Sequence, residues 1–582
     1  MFESMKERYK WLISAGINIL FLLLSIFIVG TNYETSDDFV IAERIVAGYP
    51  FVGYVDYNLC RFMISLQKIF AGVNVYIALQ IIASCLALIV LTKIFMDRVQ
   101  DKVLCLIYVI VLGFYSADFY SLLQFTKTAG LLAAVGLIVV TDSIAFKRGI
   151  GYFILGGLIF LVAAAFRFEM VIFAVGYAGL YLLFWLFENR KNLIKDGYFK
   201  WPRIVCYVVA LCILAGSGAM YIISEKQNNS TKELKEYHDY NYYRYSYVDY
   251  SVYDDYKKDP DAYDSTGLSA NDFYLMRKWY FDYDGAASYD NLKAVKEVFD
   301  GRKGKEARPP LTILKKTVRE VASKMIKHSV IGCHLLILFF LALYALLKGK
   351  LKSLPYVLAL GISTFTLYYA LNFMGRSIYR VLFIIDIAAT MWLIYSIAAK
   401  SSEKGSGEDE RQSEQGAADM VIKGISVVLL VAVLAASGLG MQSVNEKSKS
   451  KHASIKVNSH DMEELLENDK EHAYVFSTLD KCYDRSYLQP LKAPRPFYNV
   501  FTFGAWGTKS PYLMDKMKNA GLDNVFGDII DNEKVYVIDN SNAKHMEEYL
   551  NKWYGGRYKN KKIVYKKIDD ISGNKVWKVV TE

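Results

Sequence analysis

The chain alternates between long apolar runs and strongly polar stretches, and the apolar runs have the length of membrane spans. The first, Trp11 to Gly30, reaches the ~20 residues that a helix needs to cross a hydrocarbon core. Length and apolarity predict about eleven spans, at roughly 12–30, 74–94, 103–117, 128–145, 150–166, 170–187, 204–224, 329–347, 354–374, 381–398 and 421–440. The first gap contains TNYETSDDFVIAERIVAGYP, Thr31 to Pro50, in which Phe39, Val40, Ile41, Ile45 and Val46 fall near helical spacing opposite Glu43 and Arg44. Leu59, Phe62, Met63, Leu66, Ile69 and Phe70 repeat the pattern opposite Arg61, Ser65 and Lys68. Both pieces are predicted as short helices lying in the interface plane.

Charge assigns the sides. Lys6, Arg8 and Lys10 precede the first span, and alternate short gaps carry Lys93, Arg98 and Lys102, then Lys147 and Arg148, then Arg190, Lys191, Lys195, Lys200 and Arg203, then Lys348, Lys350 and Lys352. A positive-inside bias of this kind predicts a cytoplasmic N-terminus and an extracytoplasmic tail. Four parts follow: a membrane module at 1–224 with its first outside loop at 31–73, an outside insertion at 225–328, further membrane helices at 329–440, and an outside domain at 441–582. The polar 400–420 loop, without aromatics, reads as a disordered cytoplasmic linker.

The insertion is dense in tyrosine, EYHDYNYYRYSYVDYSVYDDY from Glu236 to Tyr256. A ring with a polar tip suits packing between outside parts, a sugar platform or the headgroup zone. Further on, Ser269 is placed to cap a helix, and a basic amphipathic run, Leu311 to His328, is predicted to lie along the membrane. The tail reads as a small α/β domain: a helix capped by Ser459, a strand at 473–478, a helix opened by Ser510-Pro511, a strand at 535–539, a helix ending before Gly555-Gly556, and two closing strands.

Composition adds little to this. The chain is 53% hydrophobic, and its net charge of +10 comes from loops of mixed sign and a Lys-rich tail, which does not suggest nucleic acid. Seven cysteines show no CxxC and lie mostly in or beside spans, so a disulfide framework is not expected. Walker A, GxGxxG, HExxH and GxSxG motifs are absent and the seven histidines are scattered.

What remains is charge at the outer ends of spans: the adjacent Asp37 and Asp38, then Lys127, Arg167 with Glu169, and Arg376 with Arg380. The acids either cap the helix that follows them or do chemistry at the membrane surface. The cations either snorkel to headgroups or neutralise a phosphate or pyrophosphate. Asp386, inside the tenth span, is expected to pair with Arg380 or another cation.

N-in topology, an acidic pair in the first outside loop, interfacial helices after it, short-looped spans and an outside C-terminal domain resemble the GT-C superfamily of integral-membrane glycosyltransferases. More locally, NYETSDDFVIAERIVAGYP, LLQFTKTAGLLAAVG, AAFRFEM, GLSANDFYLMRKWYFD and FGAWGTKSPYLMDKMKNAGLDNV are similar to a group of membrane proteins from Gram-positive anaerobic bacteria whose activity is inferred. The resemblance implies a GT-C-like, mainly α-helical polytopic fold that transfers a sugar from a polyprenyl-phosphate-linked donor to a glycan acceptor. It implies a catalytic role for Asp37 or Asp38, in a bacterial cell membrane, and more loosely donor-phosphate contacts for Arg167, Arg376 and Arg380; the charge at span ends adds Lys127 to the phosphate-binding set, with Glu169 in support. No second-loop acidic motif is found, which leaves a divalent metal open and no cofactor assigned. A polymerase or ligase using a pyrophosphate-linked donor, and a non-catalytic lipid-glycan transporter or scaffold, are the alternatives. The transporter is disfavoured by charge lying mainly at the rim rather than at mid-membrane.

Overall fold

The computed structural model describes residues 5–582 except 192, 196, 250–251, 306–309, 350–351, 405–415, 457–459, 478–488, 505–506, 559–560 and 572. Ser459 and most of the 400–420 linker lie outside the described residues. In chain order the membrane module comprises α1 (Glu7–Leu24, prolonged to Val29), α2 (Ser36–Val46), α3 (Tyr57–Ile69), α4 (Val75–Arg98), α5 (Lys102–Ser121), α6 (Phe125–Ala145), α7 (Ile150–Phe166), α8 (Phe168–Asn189) and α9 (Trp201–Asn228). The insertion holds α10 (Lys232–Asp249), α11 (Val252–Lys258), α12 (Ala270–Arg277), α13 (Tyr289–Lys305) and α14 (Pro310–Ile326). The bundle resumes with α15 (Val330–Lys348), α16 (Leu354–Phe373), α17 (Tyr379–Lys404) and α18 (Gly416–Lys456).

Ten helices among the described residues are long and apolar enough to cross a membrane, and α7, at 17 residues, is a shorter apolar helix beside them. The protein is therefore a multi-pass helical protein associated with a lipid bilayer. Helices α6 and α17 form its centre, each with 94% of its most apolar window buried, whereas α1 and α9 lie outermost at 17%.

Ion pairs collect one set of helix ends. Asp97 meets Lys10 at 3.1 Å, Lys93 at 2.7 Å and Arg148 at 2.7 Å; Arg98 meets Asp142 at 2.8 Å; Lys348 meets Asp101 at 2.8 Å; Lys400 meets Glu188 at 2.9 Å. These are the ends that the charge pattern assigns to one side. The opposite ends carry the first loop, the insertion and the tail. There β1 (Asn32–Tyr33) pairs in parallel with β2 (Leu122–Leu123), which ties the first loop to the turn between α5 and α6.

The tail begins with α19 (His460–Asn468) and continues through β3 (Ala473–Phe476), β4 (Val500–Thr502), α20 (Pro511–Asn519), α21 (Val525–Asp531), β5 (Val535–Ile538), α22 (Ala543–Trp553), β6 (Ile563–Ile571) and β7 (Asn574–Thr581). Its sheet runs β4-β3-β5-β7-β6, parallel across the first three strands and antiparallel across the last three. Ser510 caps α20 by accepting from Leu513 N at 3.3 Å, as its sequence suggests. Strand β4 is not anticipated by the pattern, because three residues are too short to show alternation.

The insertion packs on this sheet. Ser269 caps α12 in a reciprocal box with Asp272. Asp272 also accepts from Trp553 Nε1 at 2.9 Å and Lys552 Nζ at 2.5 Å. Asp282 accepts from the Tyr549 and Tyr554 hydroxyls at 2.9 and 2.7 Å, and Tyr280 donates to Asp539 at 2.8 Å. Phe281 N donates to Phe503 O at 2.9 Å, beside Gly504, where an added Cβ would stand 2.2 Å from Trp279 O. In an α/β sheet the crevice beyond the carboxyl ends of parallel strands is the usual ligand site. Here Tyr280 and Phe281 occupy it. Most of the tyrosine density is the insertion's own core: Tyr240, Tyr247 and Tyr263 are buried together with Phe273 and Phe281, and Tyr256 stacks on Phe273 at 3.9 Å.

One expectation fails. Helix α2 has no apolar face free for a membrane surface, because Phe39, Val40, Ile41, Ala42, Arg44 and Ile45 are all buried within the protein. The tail covers it: Arg44 donates to Ser510 at 3.2 Å, Lys516 stands 3.9 Å from Glu43, and Tyr49 packs on Tyr512. Helix α3 keeps Phe62, Ile69 and Phe70 exposed, and α14 keeps Leu311, Leu314, Val318 and Ile326 exposed, which suits a membrane surface.

Candidate functional site

The β1–β2 bridge delivers the acid pair to the N-terminus of α6. Asp38 is fully buried. Its Oδ1 accepts from the Tyr76 hydroxyl at 2.8 Å, Phe125 N at 3.0 Å and Gln80 Nε2 at 3.4 Å. Gln80 in turn accepts from the Thr128 hydroxyl at 2.8 Å. Asp38 thus caps α6 rather than its own helix, and satisfies one of the free N–H groups that any helix start presents. Its Oδ2 finds no partner among the described residues. Burial pushes the carboxyl up to about 7, with Asp37 adding to the rise and the Tyr76 and Phe125 bonds opposing it.

Asp37, the neighbour in sequence, points the other way. Its side chain is 30% exposed and its Oδ2 lies 3.6 Å from Arg380 Nη2, an ion pair too long for a hydrogen bond. Arg167, at the turn between α7 and α8, donates through Nη1 to Thr126 Oγ1 at 2.8 Å and stands 3.6 Å from Glu169. Its guanidinium lies 5.1 Å from the Phe125 ring centroid and 5.8 Å from that of Tyr54. Burial, more than any neighbouring charge, disfavours its protonated form; Arg380 adds to that, while Glu169 and Asp37 oppose it. Asp37, Arg167, Glu169 and Arg380 are therefore gathered above Asp38.

The other two cations are engaged elsewhere. Arg376 bonds Asp249, at the end of α10, at 3.0 Å. Lys127 turns into the bundle, where its ammonium donates to Asp118 Oδ1 at 3.0 Å, Asp118 O at 3.1 Å and Leu122 O at 3.1 Å. A lysine has three N–H donors and all three are used, so Lys127 has none left for a phosphate. Asp118 also accepts from the Tyr379 hydroxyl and lies 3.3 Å from His334 Nε2. Asp386 meets no cation among the described residues; both its oxygens accept from the Tyr368 hydroxyl, at 2.9 and 2.8 Å. That corrects the expected pairing with Arg380, whose guanidinium faces Asp37 instead.

Tyr76, Gln80, Asp118 and His334 are the parts of this end that the pattern does not reveal. Each sits within or beside an apolar run where only the packing gives it a partner. No group of three or more His, Cys, Asp or Glu among the described residues is placed to hold a metal ion. A separate groove of about 870 Å³ opens in the tail, lined by Tyr498, Tyr512, Asp515 and Asn519 and also by Ala47, just after α2. Comparison with protein families, with curated proteins and with solved structures finds no match to this chain.

Proposed function

We propose that the protein is a membrane glycosyltransferase that passes a sugar from a polyprenyl-phosphate-linked donor to a cell-surface glycan, on the outer face of a bacterial membrane. The observation that carries the reading is Asp37. It is a solvent-accessible carboxylate 3.6 Å from Arg380, with Arg167 alongside, at the bundle end where the soluble parts assemble. In this reading Asp37 takes the proton of an acceptor hydroxyl. The hydroxyl oxygen attacks the anomeric carbon, and the bond to the phosphate oxygen breaks with its electron pair. Arg380 and Arg167 meet the charge left on that phosphate. Asp38 acts as a positioning residue that fixes the start of α6. The groove supports an acceptor role for the tail, since Ala47 lies ten residues from Asp37 along α2, about 15 Å at the helical rise.

A transporter reading draws on the charges Asp118 and Lys127 and on Asp386, all buried inside the bundle. Transfer of a labelled sugar from polyprenyl phosphate by the protein in nanodiscs separates the two. Asp37→Asn should keep donor binding and lose on the order of 10²-fold or more of the rate. An undiminished rate would remove Asp37 as the base, and no transfer by the unaltered protein would favour the transporter.

A further inference from the structure

Arg244, in the middle of the tyrosine-rich helix, is a buried cation that meets no anion among the described residues. It is 2% exposed. Its Nε and Nη2 both donate to Asn241 Oδ1, at 2.9 and 2.7 Å, and its guanidinium lies 5.6 Å from the ring centroids of Trp279 and Phe281. Among the described residues Nη1 finds no partner and no carboxylate forms an ion pair with the group. A guanidinium taken out of water is normally paired, and a buried N–H left open is expensive. Such a side chain is explained if an anion arrives.

The surroundings say where that anion would sit. Helix α10 is held against the candidate site at two points. A Cβ added at Gly53 would lie 3.5 Å from the His238 ring, and Asp249 bonds Arg376, four residues before the Arg380 that faces Asp37. Arg244 lies between these anchors. Burial raises the hydroxyl pKa of Tyr54, the residue after Gly53, and the positive charge of Arg244 opposes that rise. The helix that carries Arg244 is thus anchored beside Tyr54, whose ring centroid lies 5.8 Å from Arg167, and beside the segment in which Arg380 faces Asp37.

We propose that Arg244 is a phosphate-binding residue which the insertion adds to the Asp37–Arg380–Arg167 site, so that a lipid-linked phosphate is held jointly by the bundle and the insertion. This rests on the transferase reading and deepens it. The membrane module supplies Arg167 and Arg380, and the insertion supplies the third guanidinium, with a fork suited to two phosphate oxygens. Binding of the donor would then also fasten the insertion in place.

The test uses the full chain in nanodiscs, with farnesyl phosphate, farnesyl pyrophosphate and inorganic pyrophosphate as probes, and native mass spectrometry to measure binding. Arg244→Gln keeps a flat polar end between Trp279 and Phe281, and Arg244→Lys keeps the charge. The Gln variant should melt within a few degrees of the unaltered protein and bind the farnesyl compounds on the order of tenfold more weakly, with Lys between the two. The farnesyl probes should also raise the melting temperature of the unaltered protein more than that of the Gln variant. Equal affinity in a folded Gln variant would overturn the assignment of Arg244 while leaving the transferase reading intact. Failure of the unaltered protein to bind either farnesyl compound would overturn both. Equally tight binding of inorganic pyrophosphate would keep the phosphate site but reject its lipid-linked source.

Discussion

The Lys127 ammonium lies 3.0 Å from Asp118 Oδ1, with both side chains sealed from solvent. Removing one partner leaves a buried charge alone, and that commonly destabilises by about 3–5 kcal/mol. Lys127→Met should therefore lower the thermal midpoint sharply, and Lys127→Met with Asp118→Leu should recover much of the loss. Phosphate binding should survive in the double variant, because Lys127 does not face the site. A single variant as stable as the unaltered protein would show that the pair contributes nothing.

Asp38 gives a pH dependence with a definite sign. Its carboxyl is held up at about 7 in the fold by burial, against 3.8 in the unfolded chain. Between those values the unfolded chain releases the proton while the folded protein keeps it, so stability falls as pH rises from about 4 to about 7 and then levels. At 1.36 kcal/mol per pH unit the loss is on the order of 4 kcal/mol. Asp38→Asn cannot make this transition, so its thermal midpoint should gain on the unaltered protein through that window. Parallel pH profiles for the two would contradict it.

Arg376 and Asp249 join the bundle to the insertion across 3.0 Å, each about one third exposed. Solvent screening limits such a pair to roughly 0.2–1 kcal/mol. A double-mutant cycle with Arg376→Ala and Asp249→Ala should show that small coupling, and it should fade in high salt. The more sensitive readout is hydrogen exchange in α10, which should speed up in either variant. Unchanged exchange would mean that the other contacts hold α10 alone.

Gly504→Ala would drive a methyl into the Trp279 carbonyl, where backbone rather than a flexible side chain must move. Overpacking of this kind costs roughly 1–3 kcal/mol, and the strain falls on the seam between insertion and tail. Limited proteolysis should cut the 252–305 region faster in this variant. Gly301→Ala, where the added methyl meets nothing, is the control and should not. Equal cleavage would place the close approach elsewhere.

The spans and most tail elements were legible because each rests on local pattern: apolar length, or caps such as Ser269 and Ser510. What α2 does was not legible. Its apolar spacing suits a membrane surface equally well, and only the distant Ser510, Tyr512 and Lys516 turn it into a buried strut. The ring of cations was legible as a set but not in its members' roles. Lys127 and Arg380 look alike in sequence, and they are separated by whether an acid from another helix meets them first. Arg244 lay hidden among tyrosines, where a single basic residue does not stand out.

Asp282 lies 267 and 272 residues before the two hydroxyls that donate to it, Tyr549 and Tyr554. A chain made from its N-terminus therefore threads α15, α16, α17 and α18 before the insertion meets the surface that completes it. Contacts so far apart in sequence form late, so the insertion waits with Asp272, Tyr280 and Asp282 uncovered until the tail is made. A stop codon anywhere after α18 but before α22 would yield a fully threaded membrane bundle whose insertion never closes. In this architecture the seam between insertion and tail closes only at the end of synthesis.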